Sequence, residues 1–526
     1  MELNKTVPAL IAQRAAESPE RIFIQEVGGR TVTYGAFHTE ALKWAALFAE
    51  LDVREGATVL TMLSPSVDAY AIWMGLSWVR AIEVPCNTDY QERMLAYLCS
   101  NSGARIAIVA KQWAPRFKQI ASQLPGLVTV IVPDADEPID LPWRTLTRDD
   151  AILARKPAED LNPPMVWDTC LMVYTSGTTG PSKGVLISWG QMNENSVGSV
   201  PADDLSEDDV FYSTFPLFHG SGRMPLALMT LSNGRLVIRE KFNTDRFWED
   251  IREYGCTTTA LVGAMVQFLL LQEPKENDGD NPLRQGVMLP LHPKWREFEK
   301  RFGVRVRTAY AMTECSPPIG TGWDISNPLS CGTLRPGYEA RIVDAHDFEV
   351  PPGEIGELIV RHKEPWKLFL GYFGMPDKTV ESWRNGWLHT GDAFRRDTEG
   401  NYYFVDRFKD AIRRRGENIS SFEVELHVNA HPEVQESAAV AVPSEWGEDE
   451  VKVVVVRKPD SELKPEVLVQ FLARTMPRFM VPRYVEFVSS LPKTDATMRV
   501  RKVELRVNPI NENTWDRESS RIEAQQ

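Results

Sequence analysis

The sequence predicts an α/β protein: a large N-terminal domain of mixed sheets layered with helices, then a small, mobile C-terminal α+β domain. Three observations carry this expectation. The chain has 526 residues, more than one core of roughly 150 residues accommodates, so several cores are expected. Apolar, β-rich runs alternate with helix-like stretches up to about Asp410, the pattern of helices laid over largely parallel strands. Beyond that point the elements shorten, as in a separate compact domain. The division is placed at 1–408 and 409–526.

In chain order, the N-terminal MELNKTVPALIAQRAAESPER carries an Ala/Leu pattern suited to an amphipathic surface helix. It lacks the basic head and apolar stretch of a secretory signal. Thr58–Met62 and Arg105–Val109 read as strands, Ser66–Val79 and Gln91–Ser100 as helices. The longest uncharged run, Tyr254–Gln272, spans 19 residues, but three Thr, two Gln and two Gly break it into strand, turn and buried helix rather than a membrane span. In the smaller domain a helix is expected near Phe422–Asn429, strands near Val434–Val442 and Val451–Arg457, and a helix near Lys464–Thr475. The polar tail Asn511–Gln526 is expected to fray.

Composition narrows the function. With 59 Lys and Arg against 73 Asp and Glu, the net charge of −14 opposes a general attraction to nucleic acid or anionic lipid, and neither is expected as a partner. Hydrophobic residues at 43% and charged residues at 25% match a chain folded almost throughout. The six cysteines, at 86, 99, 170, 256, 315 and 331, show no CxxC pair or metal-ligand spacing and read as reduced thiols. A cytoplasmic protein without a transmembrane segment is the expectation; oligomeric state is left open.

The most informative segment is LMVYTSGTTGPSKG, Leu171–Gly184, followed by the strand-like VLIS. Glycines let backbone N–H groups wrap an anion, hydroxyls add donors, and a lysine adds a mobile positive charge. Those are the parts a polyphosphate needs. A P-loop requires G-x-x-x-x-G-K-[ST], whereas here Ser182 precedes Lys183 and Gly184 follows it, so that spacing fails. A plain hairpin turn needs fewer hydroxyls and no lysine.

YTSGTTGPSKG resembles the phosphate-binding signature of the adenylate-forming superfamily, which includes acyl-CoA synthetases, peptide-synthetase adenylation domains and luciferases. The resemblance continues in order through PLFHG (Pro216–Gly220), YAMTE (Tyr310–Glu314), GELIVR (Gly356–Arg361), WLHTGD (Trp387–Asp392) and VDRFKDAIRRRGENISSFEVE (Val405–Glu425). The wording RRRGENISSFEVE is most similar to the crotonobetaine/carnitine-CoA ligase-like branch.

The resemblance implies ATP, Mg²⁺ and coenzyme A as reactants, and a small organic acid as substrate. Thr175, Ser176, Gly177, Thr178, Thr179, Gly180 and Lys183 would hold the outer phosphates. Glu314 resembles the Mg²⁺-binding glutamate, Thr313 a hydroxyl near the α-phosphate, and Tyr310 the aromatic stacked on adenine. Asp392 resembles the carboxylate that accepts both ribose hydroxyls, Arg407 a ribose-contacting arginine, and His219 the histidine beside the acyl carboxylate. Lys409 matches the hinge about which the small domain rotates between half-reactions. Gly416 and Glu417 would line the pantetheine tunnel, and Arg413, Arg414 and Arg415 would meet the CoA phosphates.

One departure stands out. The family's C-terminal PKT-x-x-GK supplies an adenylation lysine, but Leu491–Lys502 reads LPKTDATMRVRK. Arg499 is taken as the replacement, with Lys493 and Lys502 as neighbouring alternatives. The acyl pocket is expected around His219–Arg223, Leu261–Phe268 and Ala311–Gly320, where Arg223 faces two readings, a partner for a second substrate anion or a structural salt bridge. The function expected is an AMP-forming acid-thiol ligase. The alternatives are a stand-alone adenylation enzyme that loads a carrier protein, and a degenerate member that binds nucleotide or acyl ligand with weak adenylation.

Overall fold

The computed structural model describes residues 4–137, 139–153, 155–175, 182–407, 412–414, 417–444, 449–493 and 500–519. Backbone contacts group the chain into two compact units, Met1–Glu339 with Val360–Leu388, and Ala340–Ile359 with His389–Gln526. Mixed sheets with helices in the first and a small α+β assembly in the second are the expected α/β architecture.

The larger unit is built on two sheets. The first has eight strands in the order Gly371–Tyr372, Lys183–Ser188, Thr169–Thr175, Ile82–Pro85, Thr58–Met62, Ile106–Val109, Thr129–Ile131, Arg144–Leu146. It is parallel from Thr169–Thr175 onward, and its first two strands run antiparallel to their neighbours. The second has seven strands, Arg305–Arg307, Gln285–Met288, Thr258–Leu261, Val210–Ser213, Arg235–Ile238, Ile22–Glu26 and Thr31–Thr33, with only the last pair antiparallel. Parallel strands carry helices on their faces and so become apolar along their whole length. All four residues of Ile106–Val109, IAIV, are accordingly buried.

The uncharged run does resolve into the strand Thr258–Leu261 and the helix Gly263–Leu271. No helix among the described residues is long and apolar enough to cross a membrane.

Helix Val67–Trp78 shows how local chemistry sets packing. Ser66 caps it by accepting the Ala69 N–H at 3.1 Å. Gly75 lets helix Tyr34–Glu50 lie close, because a Cβ there would meet the Trp44 Cβ at 2.4 Å. Trp73 then stacks on Trp189 with centroids 5.3 Å apart.

Arg223 settles as a structural ion pair rather than a ligand for substrate. Its Nη2 lies 2.7 Å from Glu83 Oε1, with both side chains 1% exposed. Nε donates to the Leu217 carbonyl at 2.8 Å, and the guanidinium sits 4.8 Å from the Trp73 ring centroid. Thr61 also donates to Glu83, at 2.6 Å. The pair therefore ties helix Gly220–Ser232 to the eight-stranded sheet.

In the smaller unit, strands Val434–Pro443, Asp449–Arg457, Tyr484–Val488 and Thr514–Asp516 form one sheet. Helices Ser421–Asn429 and Pro465–Thr475 contribute Val424, Val428, Leu468 and Leu472 to a core shared with Val453, Val455 and Val485. The tail departs from expectation up to Ser519. Thr514–Asp516 adds an antiparallel edge strand to Tyr484–Val488, and Asp516 pairs with Arg483 at 3.1 Å. The segment is ordered here by ladder hydrogen bonds, an ion pair and Trp515, which packs against the core of the small unit.

Removing one member of a fully buried ion pair strands the other charge. Arg223→Ala should lower the stability of the larger unit by about 3–5 kcal/mol, measured by urea unfolding, whereas Arg223→Ala combined with Glu83→Leu should recover part of that loss. A single variant as stable as the wild type would contradict the joint.

Candidate active site

Strands Thr169–Thr175 and Lys183–Ser188 bracket the glycine-rich loop. Thr175 is the cross-strand partner of Lys183, and Tyr174 of Gly184, so the ladder holds both ends of the loop side by side. Gly184 eases that closeness: a Cβ there would meet the Met172 sulfur at 2.7 Å and push that side chain aside. At the foot of the loop, the Tyr97 hydroxyl donates to the Ser182 carbonyl at 2.9 Å. Ser176, Gly177, Thr178, Thr179 and Gly180 lie outside the described residues.

The second part is a hairpin. Strands Ala309–Met312 and Ser316–Gly320 pair antiparallel, and Thr313–Cys315 make the connection, closed by Ser316 in the left-handed region at φ 57°. The tip is pinned from three directions. The Thr313 carbonyl accepts Gln191 Nε2 at 2.8 Å, the Glu314 carbonyl accepts the Phe369 N–H at 2.9 Å, and Glu314 Oε1 accepts the Tyr372 hydroxyl at 2.9 Å. Glu314 is 8% exposed. The Lys183 ammonium stands 4.5 Å from the centroid of the same Tyr372 ring. One aromatic side chain therefore links the lysine of the loop to the glutamate of the hairpin. Tyr310 is buried on the adjoining strand, its hydroxyl 3.6 Å from the Met312 sulfur.

His219 caps helix Gly220–Ser232. Its Nδ1 accepts the Ser221 N–H at 3.2 Å and lies 2.8 Å from Ser221 Oγ. An N–H can only donate, so Nδ1 is the unprotonated nitrogen and Nε2 carries the hydrogen. Desolvation of the ring pushes its pKa down from 6.5 to about 4, which keeps it neutral near pH 7. Gly222 permits the turn into this helix, since a Cβ would come within 2.2 Å of the Pro216 carbonyl oxygen.

In the smaller unit, Asp392 and Arg407 are cross-strand partners on Leu388–Arg396 and Tyr402–Arg407. That register brings the two ribose candidates to one point of one ladder. Asp392 is buried, and its N–H donates to Thr390 Oγ1 at 3.2 Å. The Arg407 side chain lies outside the described residues, as do those of Arg413 and Glu417, whose strands Ile412–Arg414 and Glu417–Ile419 pair antiparallel. Lys409, Arg415, Gly416 and Arg499 also lie outside them.

Three basic residues are corrected by their surroundings. Arg414 is 2% exposed, bonds Glu450 at 2.6 Å and donates to the carbonyls of Phe479 and Val481 at 2.9 and 3.0 Å. Its donors face the core, so it is withdrawn as a CoA-phosphate ligand. Lys493 pairs with Glu436, and Lys502 with Glu425 at 2.8 Å. Both charges are thus paired within the small unit. Sequence reasoning missed Tyr372 and Gln191, which lie outside every quoted motif; the only signal for Tyr372 was its place between GELIVR and WLHTGD.

The description "AMP-binding enzyme" belongs to the family whose sequence model matches residues 11–373, and "AMP-binding enzyme C-terminal domain" to the one that matches 423–497. The chain is 32% identical over 482 residues to a crotonobetaine/carnitine–CoA ligase from Escherichia coli, covering 89% of this chain and 92% of that protein. It is similar to ATP-bound MatB from Rhodopseudomonas palustris, with 25% identity, a TM-score of 0.84, and coverage of 97% of this chain and 99% of that one. The anthranilate CoA ligase AuaEII, solved with anthranoyl-AMP, shares the fold at 22% identity and a TM-score of 0.85, with 96% and 98% of the two chains covered.

The neutral ring of His219 has a consequence for stability. The unfolded chain takes up a proton near pH 6.5 that the folded ring refuses down to about 4, so stability falls as pH drops through that window. Thermal midpoints at pH 7 and pH 5 should fall less in His219→Asn than in the wild type; equal falls would contradict the assignment.

Proposed function

This chain belongs to the AMP-binding enzyme family, and from that premise we propose that it is an ATP-dependent acid-thiol ligase. A carboxylate is a poor electrophile, so its oxygen first attacks the α-phosphorus of ATP. Pyrophosphate leaves, and the product is an acyl-AMP with a good leaving group. The CoA thiol, losing its proton, then attacks the acyl carbon and releases AMP. The observation that carries the reading is the joining of the loop lysine, Lys183, to the hairpin carboxylate, Glu314, through Tyr372.

Each residue has work suited to its chemistry. Lys183 supplies positive charge to the outer phosphates at the loop foot that Thr175 shares. Thr313, at the hairpin tip, faces the α-phosphate, and Tyr310 stacks on adenine. Neutral His219 offers an Nε2–H to orient the acyl carboxylate without adding charge. Asp392 accepts the two ribose hydroxyls, beside Arg407.

The donor set also fits Mg²⁺. Glu314 would hold the ion together with phosphate oxygens, since hard Mg²⁺ prefers a carboxylate and phosphate oxygens. Bound there, the ion supplies neutralising charge to the phosphates.

Rotation of the small domain about Lys409 would replace adenylation groups by thiol-binding ones. Gly416 and Glu417 would line the pantetheine path, Arg413 and Arg415 would meet the CoA phosphates, and Arg499 would supply the adenylation cation. The stretches expected to surround the acyl group, His219–Arg223, Leu261–Phe268 and Ala311–Gly320, mix apolar and polar residues, which suits a bulky or partly polar organic acid. A similar protein carries crotonobetaine and carnitine in its name, which adds betaine acids to those worth testing.

The test is pyrophosphate exchange and CoA-dependent AMP release across short-chain, aromatic, steroid-like and betaine acids. We expect at least one acid to support both, with exchange falling about 100-fold or more in Arg499→Ala. AMP release without CoA would favour another acceptor, such as a carrier protein, and no exchange with any acid would remove the catalytic reading.

A further inference from the structure

We propose that Tyr372 is a positioning residue that holds Lys183 and Glu314 in fixed register with one another. The inference rests on the reading of that site as the place for ATP and Mg²⁺. Its backbone is held from both sides. Tyr372 lies opposite Val185 on the antiparallel edge, the Phe373 N–H donates to the Gly184 carbonyl at 2.8 Å, and the Tyr372 N–H donates to Thr379 Oγ1 at 2.9 Å. The preceding Gly371 adopts φ 141°, and a Cβ there would meet Thr379 Cγ2 at 2.9 Å, so the bend that presents the tyrosine needs glycine.

The side chain then makes two unlike contacts. Its hydroxyl donates to Glu314 Oε1 at 2.9 Å, and its ring lies under the Lys183 ammonium at 4.5 Å. The Phe369 ring packs against it at 5.0 Å, and the Phe369 backbone N–H holds the Glu314 carbonyl. A phenol suits this place because a donor at its tip serves an anion while its π-face serves a cation. The carboxylate is thereby aimed before any cation arrives, and the ammonium is seated before any phosphate does.

The two contacts separate by mutation. Calorimetry on the full chain would use α,β-methylene-ATP with Mg²⁺ or with EDTA, for the wild type, Tyr372→Phe and Tyr372→Leu, with thermal midpoints as the control for folding. Tyr372→Phe keeps the ring and loses the hydroxyl, so affinity should fall about tenfold with Mg²⁺ and stay unchanged in EDTA, with the midpoint lowered by no more than a few degrees. Tyr372→Leu should in addition lose about threefold in EDTA.

Tyr372→Phe binding as the wild type does in both conditions would overturn the proposal. An equal loss with and without Mg²⁺ would overturn it too, since the hydroxyl would then act only through the fold. A wild-type chain that binds no nucleotide would instead sink the site reading itself, and this inference with it.

Discussion

The ladder pair Thr175 and Lys183 is the constraint on which the rest of the site depends. A polyphosphate needs many donors converging on a small volume, and a glycine-rich segment meets that need only if its two ends are held at one place. The antiparallel pairing does so, and Gly184 permits it by leaving room for Met172. Everything else is arranged from that foot: Tyr372 on the next strand, Glu314 beyond its hydroxyl, and Thr313 and Tyr310 on the hairpin that carries Glu314.

Burying charge sets the second theme. Glu83 with Arg223 and Glu450 with Arg414 are ion pairs inside their respective units, each reinforced by donation to backbone carbonyls. Such pairs gain little net stability over apolar packing but make loss of one partner expensive, so they act as registers that hold elements in one arrangement. Glu194 shows the same economy, taking Arg335 at 2.9 Å with Lys367 at 3.8 Å. Arg223 and Arg414 are therefore better read as joints than as ligands.

Much of this was legible in the residues. The alternation of apolar, β-rich runs with helix-like stretches placed Thr58–Met62, Val67–Trp78 and the helices and strands of the smaller unit to within a few positions, because buried parallel strands are short and apolar throughout while helices need longer stretches. Motif chemistry and the family resemblance put forward Thr175, Lys183, Thr313, Glu314 and His219, and of these the structure brings Lys183 and Glu314 to the same tyrosine. What escaped depended on distant partners. Arg414 looks like its basic neighbours until Glu450, 36 positions on, claims it. Tyr372 looks like any edge-strand aromatic until Glu314 approaches from another sheet, and the strand Thr514–Asp516 exists only because Tyr484–Val488 offers it an edge.

The most direct test of the central claim is a crystal structure of the chain with α,β-methylene-ATP and Mg²⁺. The account predicts the triphosphate enclosed by the loop between Thr175 and Lys183, with the metal roughly 2.1 Å from a Glu314 oxygen. Nucleotide bound away from that loop, or a metal that ignores Glu314, would contradict it.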